Sequence, residues 1–207
     1  MKAYLCGYYG MKNSGDDALL YASAWAAKHY LGADSASMSS PQPMEVPCFG
    51  LLPAKQSAQQ GFRGQRRLQQ YWSANGSDAV VFGGGSVLHS AQDISIKRHL
   101  MRLSKGKHHY ACGVGLGPFE NVAAEKVCAK FLRECSFVGL RDEKSFELAK
   151  TLAPDANLQL TFDLAPLLLE QKNRMLRDVP RSGIAVSLCP VFEAGNAVDQ
   201  RAMLKEL

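Results

Sequence analysis

Short apolar runs that end near glycine, each followed by a stretch of helical spacing, recur along this chain, and that rhythm restricts the fold more than any other feature. Residues 2–8 predict a strand. Residues 15–30 predict a helix, with Ala18, Leu19, Ala22, Trp25, Ala26 and His29 at helical spacing. Ser14 is the expected N-cap, and Asp17 three residues on completes an approximate capping box. The alternation resumes with a polar, basic helix at 59–73, then a strand at 78–82 and a helix at 94–103. A strand at 108–114, a helix at 123–134, a strand at 136–140, a helix at 143–152 and a strand at 158–162 follow. Residues 32–58, rich in Ser, Pro, Gly and Ala, read mostly as loop. A short strand near Met44–Phe49 is the alternative, which Pro43 and Pro47 disfavour.

Short apolar strands alternating with helices imply right-handed βαβ units. The expected fold is therefore α/β, a doubly wound parallel sheet of Rossmann-like type. A sheet covered on both faces has strands that are continuous apolar runs, as here. Residues 1–168 are expected to form this domain, and 169–182, charged from Glu170 to Arg181, a linker. Residues 183–207 read as the first βα unit of a second α/β domain, with a strand at 183–188 and a helix at 198–207. One βα unit cannot bury its own apolar face. The sequence is therefore expected to be a fragment, or this segment to add to the first sheet or to a partner. Exposed apolar strand surface makes homo-oligomer formation an expectation.

Of the 207 residues, 46% are hydrophobic and 21% charged, which is globular composition with enough chain to bury a core without staples. The formal charge of +5 is concentrated at 63–67 and 97–109. It favours acidic ligands such as phosphates, or an acidic membrane surface, and is too weak and scattered for nucleic acid. Arg63, Arg66 and Arg67 read as a solvated helix face, with contact to anionic lipid head groups as the alternative. Six cysteines without a C-x-x-C pair, most inside apolar runs, read as buried free thiols of a reducing compartment. No cluster suggests a metal. The first residues carry no long apolar h-region and no stretch approaches a membrane span, so a cytoplasmic location is expected.

In open parallel sheets ligands bind outside the carboxyl ends of the strands. Four such places carry unusual residues. In the first, Gly7 to Leu20, a loop containing Gly10 and Asn13 leads into a helix at Gly15, whose backbone N–H groups attract anions. Asp16 and Asp17 lie in its first turn; the alternative is that they only cap the helix, and that Asn13 is a turn residue. In the second, Gly83, Gly84 and Gly85 let the backbone approach a ligand, and Ser86 supplies a hydrogen bond. A tight turn is the alternative. His89 is a further candidate. In the third, Gly113 to Pro118, Gly115 and Gly117 again permit close backbone approach. In the fourth, Arg141 falls just beyond a strand end, where its fork suits a carboxylate or phosphate. Asp142 caps the next helix. Asp163 is either a base or the salt-bridge partner of Arg141. The pair His108 and His109 reads as structural.

Taken together in order and spacing, these segments resemble the polysaccharide pyruvyl transferase family. The matching residues are Gly7-Tyr8-Tyr9-Gly10, Asn13, Gly15, Asp16, Ala18 and Leu19, then Gly83-Gly84-Gly85-Ser86, 113–118, Arg141-Asp142 with Ser145, and Asp163. The resemblance implies a GT-B-like protein of two Rossmann-like domains facing a cleft, of which this is the N-terminal part. It implies transfer of pyruvate from phosphoenolpyruvate to a sugar, forming a ketal on a surface polysaccharide or its lipid-linked precursor. It also places an Arg and a His that grip phosphoenolpyruvate in the C-terminal domain, beyond this chain. The implied partners are a saccharide or lipid-linked saccharide acceptor and phosphoenolpyruvate, with no cofactor and a position extending to the inner face of the membrane. On that basis Asp16 and Asp163 are the expected catalytic residues. The expected substrate-binding residues are Gly10, Asn13, Gly15, Asp17, Gly83–Gly85, Ser86, His89, Gly115, Gly117 and Arg141. The alternatives are a GT-B glycosyltransferase using a nucleotide sugar and a non-catalytic saccharide-binding domain.

Overall fold

A computed structural model describes residues 1–53, 62–85, 87–106 and 108–168. The linker and second-domain unit expected at 169–207, Ser86, and residues 59–61 of the helix expected from Gln59 lie outside the described residues.

The elements in chain order are β1 (Lys2–Cys6), α1 (Ser14–His29), β2 (Ser35–Met38), β3 (Met44–Val46), β4 (Gly50–Leu52), α2 (Gln65–Asn75) and β5 (Ala79–Gly83). Then come β6 (Val87–Leu88), α3 (Ala91–Leu103), β7 (Tyr110–Leu116), α4 (Val122–Glu134), β8 (Phe137–Leu140), α5 (Glu143–Leu152) and β9 (Leu158–Leu160). The main sheet runs β2-β1-β5-β7-β8-β9, every pairing parallel, with β6 alongside the end of β7. The expected α/β fold, a doubly wound, Rossmann-like parallel sheet, is thus what forms. The chain leaves β1 for β2 on one side and returns to β5 on the other. Winding therefore reverses between β1 and β5, which makes their carboxyl ends the topological switch point.

Alternation along the strands divides the core. Tyr4, Cys6, Val80 and Phe82 face one side and pack with Ala74 of α2, Ile94 and Leu100 of α3, Phe131 and Leu132 of α4, and Ala149 of α5. Phe82 and Phe131 meet edge to face with ring centroids 5.2 Å apart. Ala3, Leu5 and Val81 face the other side and pack with Leu19, Leu20, Ala24 and Ala27 of α1, together with Val46, Leu52 and Leu164. His109 is buried, and its Nδ1 accepts from the Val80 N–H at 3.3 Å. It belongs to the scaffold, as its place at the start of a strand suggested. Cys6, Cys48, Cys112, Cys128 and Cys135 are free thiols, and burial pushes Cys6 and Cys128 up to about 12 and Cys112 to about 11.

Two local expectations are corrected, and the short strand near Met44–Phe49 is present as β3. Residues 35–38, expected in a loop, form β2 on the sheet edge, with Leu5 opposite Met38. Their Ser-Ala-Ser-Met composition carries little apolar signal, and pairing to β1 supplies what propensity does not. Pro43 and Pro47 flank β3, which pairs only with β4 in a separate antiparallel hairpin, where a missing N–H is tolerated. Asn13, not Ser14, caps α1, its side chain accepting from the Gly15 N–H at 3.1 Å; Asp17 instead accepts from the Gly10 N–H at 2.8 Å. The acidic first turn and the basic last turn of α1, Lys28 and His29, suit the helix dipole.

The join of α1 to the sheet depends on the end of β5. A Cβ added to Gly83 would lie 1.8 Å from Ser23 Oγ and 2.8 Å from the Tyr9 hydroxyl. That hydroxyl donates to the Gly83 carbonyl at 2.9 Å. Ser23 is itself fixed, donating to the Leu19 carbonyl at 2.6 Å. Gly83→Ala is therefore expected to destabilise the domain by about 1–3 kcal/mol, read as a lowered urea midpoint. A midpoint equal to the parent's would show that α1 does not need this contact.

Candidate functional site

At the switch point the loop after β1, the N-terminus of α1 and the loop after β5 meet. Asn13 Nδ2 donates to Asp16 Oδ2 at 2.5 Å, tying the cap to the acid beside it. Asp16 is half-buried, and burial raises its carboxyl above the usual carboxylate range, with the neighbouring Asp17 charge acting the same way. Gly84 and Gly85 have φ of 57° and 63°, left-handed backbone that glycine adopts without strain. A Cβ on Gly84 would lie 2.6 Å from Leu19, and one on Gly85 2.9 Å from Leu19 and 3.1 Å from Asp16 Oδ1. Each of the three glycines therefore has a packing reason, beyond the single one that a turn requires. Their small size also brings the β5 backbone against Asp16. Gly10, Asn13, Gly15, Asp16, Asp17 and Gly83–Gly85 thus belong to one cluster.

The second cluster lies at the ends of β7 and β8. Gly115, expected to follow the strand, lies inside β7 opposite Val87, because β6 extends the pairing beyond residue 114. A Cβ there would lie 3.2 Å from Arg141 Nε, so the bare strand is the floor under the guanidinium. Arg141 lies 3.7 Å from Asp142 and 3.6 Å from Asp163, and no hydrogen bond from its side chain is found among the described residues. Arg141 lines an opening of about 390 Å³ together with Gly115, Gly117, Lys144 and Ser145. Asp163 accepts from the Ala165 N–H at 2.9 Å as well as pairing with Arg141, which matches its partner role. Asp142 caps α5, accepting from the Ser145 N–H at 2.8 Å and the Ser145 hydroxyl at 3.0 Å. Ser145 Oγ in turn accepts from the Leu116 N–H at 2.9 Å, which fastens α5 to the end of β7. The Gly117 N–H donates to the Leu88 carbonyl at 3.1 Å. His89 is exposed and touches this region through its carbonyl, which accepts from the Glu120 N–H at 3.2 Å.

A third feature has no counterpart in the sequence reading. A cleft of about 320 Å³ opens at the end of β1 on the α2–α3 face, lined by Tyr8, Ser39, Gln70, Asp93 and Lys97. Asp93 and Lys97 form an ion pair one helical turn apart, with the Lys97 side chain only 15% exposed. Gln70 Nε2 donates to Ser39 Oγ at 3.0 Å. The Tyr8 ring stands 62% exposed. The cleft is balanced in charge, whereas the Arg141 opening carries Arg141 and Lys144 against Asp142. The i, i+4 spacing of Asp93 and Lys97 was visible in sequence, but it is common on helix surfaces and does not announce a cleft. Among the described residues, no group of three or more His, Cys, Asp or Glu side chains is placed to hold a metal ion, and no helix is long and apolar enough to cross a membrane.

Comparison with known proteins gives a family match. The family model described as polysaccharide pyruvyl transferase matches residues 13–193, which takes in both clusters apart from Gly10. No curated protein matches the chain. Among solved structures, pyridoxal kinase from Staphylococcus aureus, in complex with pyridoxal and with AMP-PCP, is 13% identical with a TM-score of 0.44, over 76% of this chain and 60% of the kinase chain. The chain therefore spans 60% of the length of these structures.

The cap at Asp142 has a pH signature. The Ser145 N–H holds its carboxyl below the usual carboxylate range, helped by the Ser145 hydroxyl and the Arg141 and Lys144 charges, with burial opposing. A depressed folded pKa stabilises above the unfolded value, and that stabilisation is lost as pH falls through the folded one. Asp142→Ala is expected to cost about 1 kcal/mol at neutral pH, with the gap to the parent closing in acid. Urea titrations at both pH values test this; a gap that persists in acid contradicts it.

Proposed function

Because the chain belongs to the polysaccharide pyruvyl transferase family, we propose that it takes part in transferring pyruvate from phosphoenolpyruvate to a sugar of a polysaccharide or its precursor, as a ketal. The observation that carries this reading is Arg141, held over the bare Gly115 strand and lining an open cleft. Such a fork fits a carboxylate or phosphate. The charge-balanced cleft beside β1 supports the second half of the reading. An uncharged polyol needs donors and acceptors together, and Lys97, Asp93 and Gln70 offer both.

The chemistry balances as follows. The phosphoenolpyruvate C3 takes a proton and becomes a methyl group, leaving C2 electron-poor. One sugar hydroxyl adds to C2 and loses its proton, the C2–O bond to phosphate breaks, and a second hydroxyl adds to close the ring. Of the two hydroxyl protons, one replaces that taken up at C3 and the other leaves with phosphate. Asp16 is proposed as the base that orients or deprotonates the attacking hydroxyl, since burial has moved its carboxyl upward, toward the pH at which a base works. The backbone at Gly83–Gly85 is proposed to let the sugar or phosphate lie close, and Arg141 to steady the anion as charge moves to phosphate. Asp163 is proposed to aim Arg141. The Arg and His that the family resemblance places in a second domain are proposed to complete the donor grip.

The test is to incubate the full-length protein with phosphoenolpyruvate and saccharide acceptors, following phosphate release and the new methyl resonance of the ketal. Turnover with nucleotide sugars and none with phosphoenolpyruvate would favour the glycosyltransferase reading. Asp16→Asn is expected to lower turnover by about 100-fold or more. A carboxyl with a raised folded pKa gives its stabilisation below the unfolded value and loses it as pH rises through the folded one, so removing the charge leaves neutral-pH stability equal or higher. Activity within a few-fold of the parent would sink Asp16 as base. Arg141→Met is expected to reduce kcat/KM for phosphoenolpyruvate by about 10- to 100-fold, and an unchanged value would remove Arg141 from the anion site.

A further inference from the structure

Helix α2 is turned inside out. Of its eleven residues only Ser73 and Ala74 are buried, while its glutamines are half-buried. Tyr71 packs against the core, but its other large apolar residues face solvent: Trp72 is 83% exposed and Leu68 55%, one turn apart, and Phe62 just before the helix is 56% exposed. Soluble monomers seldom leave such a group together without use. Arg63, just before the N-cap, and Arg67, in the first turn, are both exposed beside this stripe, and neither has an ion-pair partner among the described residues. From Phe62 to Ser77 there is no acidic residue. Helix stability does not explain the arginines, because cations in a first turn oppose the helix dipole and no side chain caps this end. A groove of about 660 Å³ runs beside the stripe, lined by Lys2, Phe62, Leu68 and Trp72 among others.

We propose that α2 and its lead-in form a docking surface for an anionic lipid bilayer, with Phe62, Leu68 and Trp72 entering the headgroup boundary and Arg63 and Arg67 pairing with lipid phosphates. Aromatic and aliphatic side chains beside arginines, without acids, are what an interfacial helix needs. A second copy of the chain suits the patch less well, since two-fold pairing would bring the two sets of arginines together. The surface is on α2, apart from Asp16 and Arg141, and stands whether or not pyruvyl transfer is the reaction.

Flotation of the full-length protein with phosphatidylcholine vesicles, with and without phosphatidylglycerol, tests the proposal. The difference in emission between the parent and Trp72→Phe isolates the signal of Trp72 from that of Trp25 and any other tryptophan. The expected result is flotation only with the anionic vesicles, weakened by salt, with a blue shift of Trp72. Arg63→Gln with Arg67→Gln is expected to weaken binding by roughly fivefold per charge removed. Leu68→Ser is expected to weaken it too, and none of these exposed changes should move the unfolding midpoint. Absence of flotation with anionic vesicles overturns the proposal, as does binding that survives both sets of changes. A dimer in the ultracentrifuge, lost on Leu68→Ser in a protein that ignores vesicles, assigns the patch to self-association and likewise overturns it.

Discussion

The side chain missing at Gly83 decides how this molecule is put together. With nothing on that carbon, Ser23 of α1 and the Tyr9 hydroxyl press directly on the end of β5. Helix α1 is thereby drawn over the point where the winding of the sheet reverses. The placement of Asp16 follows, because its position is that of the α1 N-terminus, fixed by the Asn13 cap and by Leu19 against Gly84. A close-packed interior transmits such a constraint with little loss. Position at the switch point is then a consequence of packing, and the chemistry inherits it.

The same carboxyl edge of the sheet holds two environments of different character. Beside β1, an ammonium and a carboxylate cancel within a cleft. At β7 and β8, a guanidinium and an ammonium outnumber the acid lining the opening. The proposed transfer between an anionic donor and a neutral acceptor needs one of each. Parallel strands make the arrangement economical, since every strand ends on the same side and each following loop can carry a different polar group.

Much of this was readable in the chain. The apolar runs mark β1, β5, β7, β8 and β9 within a few residues, and a salt bridge from Arg141 to Asp142 or Asp163 is one of the readings their strand-end positions allow. What stayed hidden was set by tertiary pairing. Ser35–Met38 becomes a strand because β1 has an open side, and nothing in a Ser-Ala-Ser-Met run announces that. Gly115 stays inside β7 because two residues, Val87 and Leu88, reach over to pair there. The Asp93–Lys97 pair looks like any helix surface until Tyr8 and Gln70, distant in sequence, close a cleft around it. The triple glycine suggests close approach of a ligand, and each glycine has a steric reason as well.

The setting of Arg141 has one more consequence. Its guanidinium rests on glycine and is drawn from two sides by carboxylates too far away to form hydrogen bonds. The side chain is therefore aimed without being used up. A long, rotamer-rich residue immobilised only on ligand arrival costs about 0.5–1.5 kcal/mol in lost freedom. Here part of that freedom is given up when the domain folds, which lowers the ordering cost for the anion that Arg141 is proposed to bind.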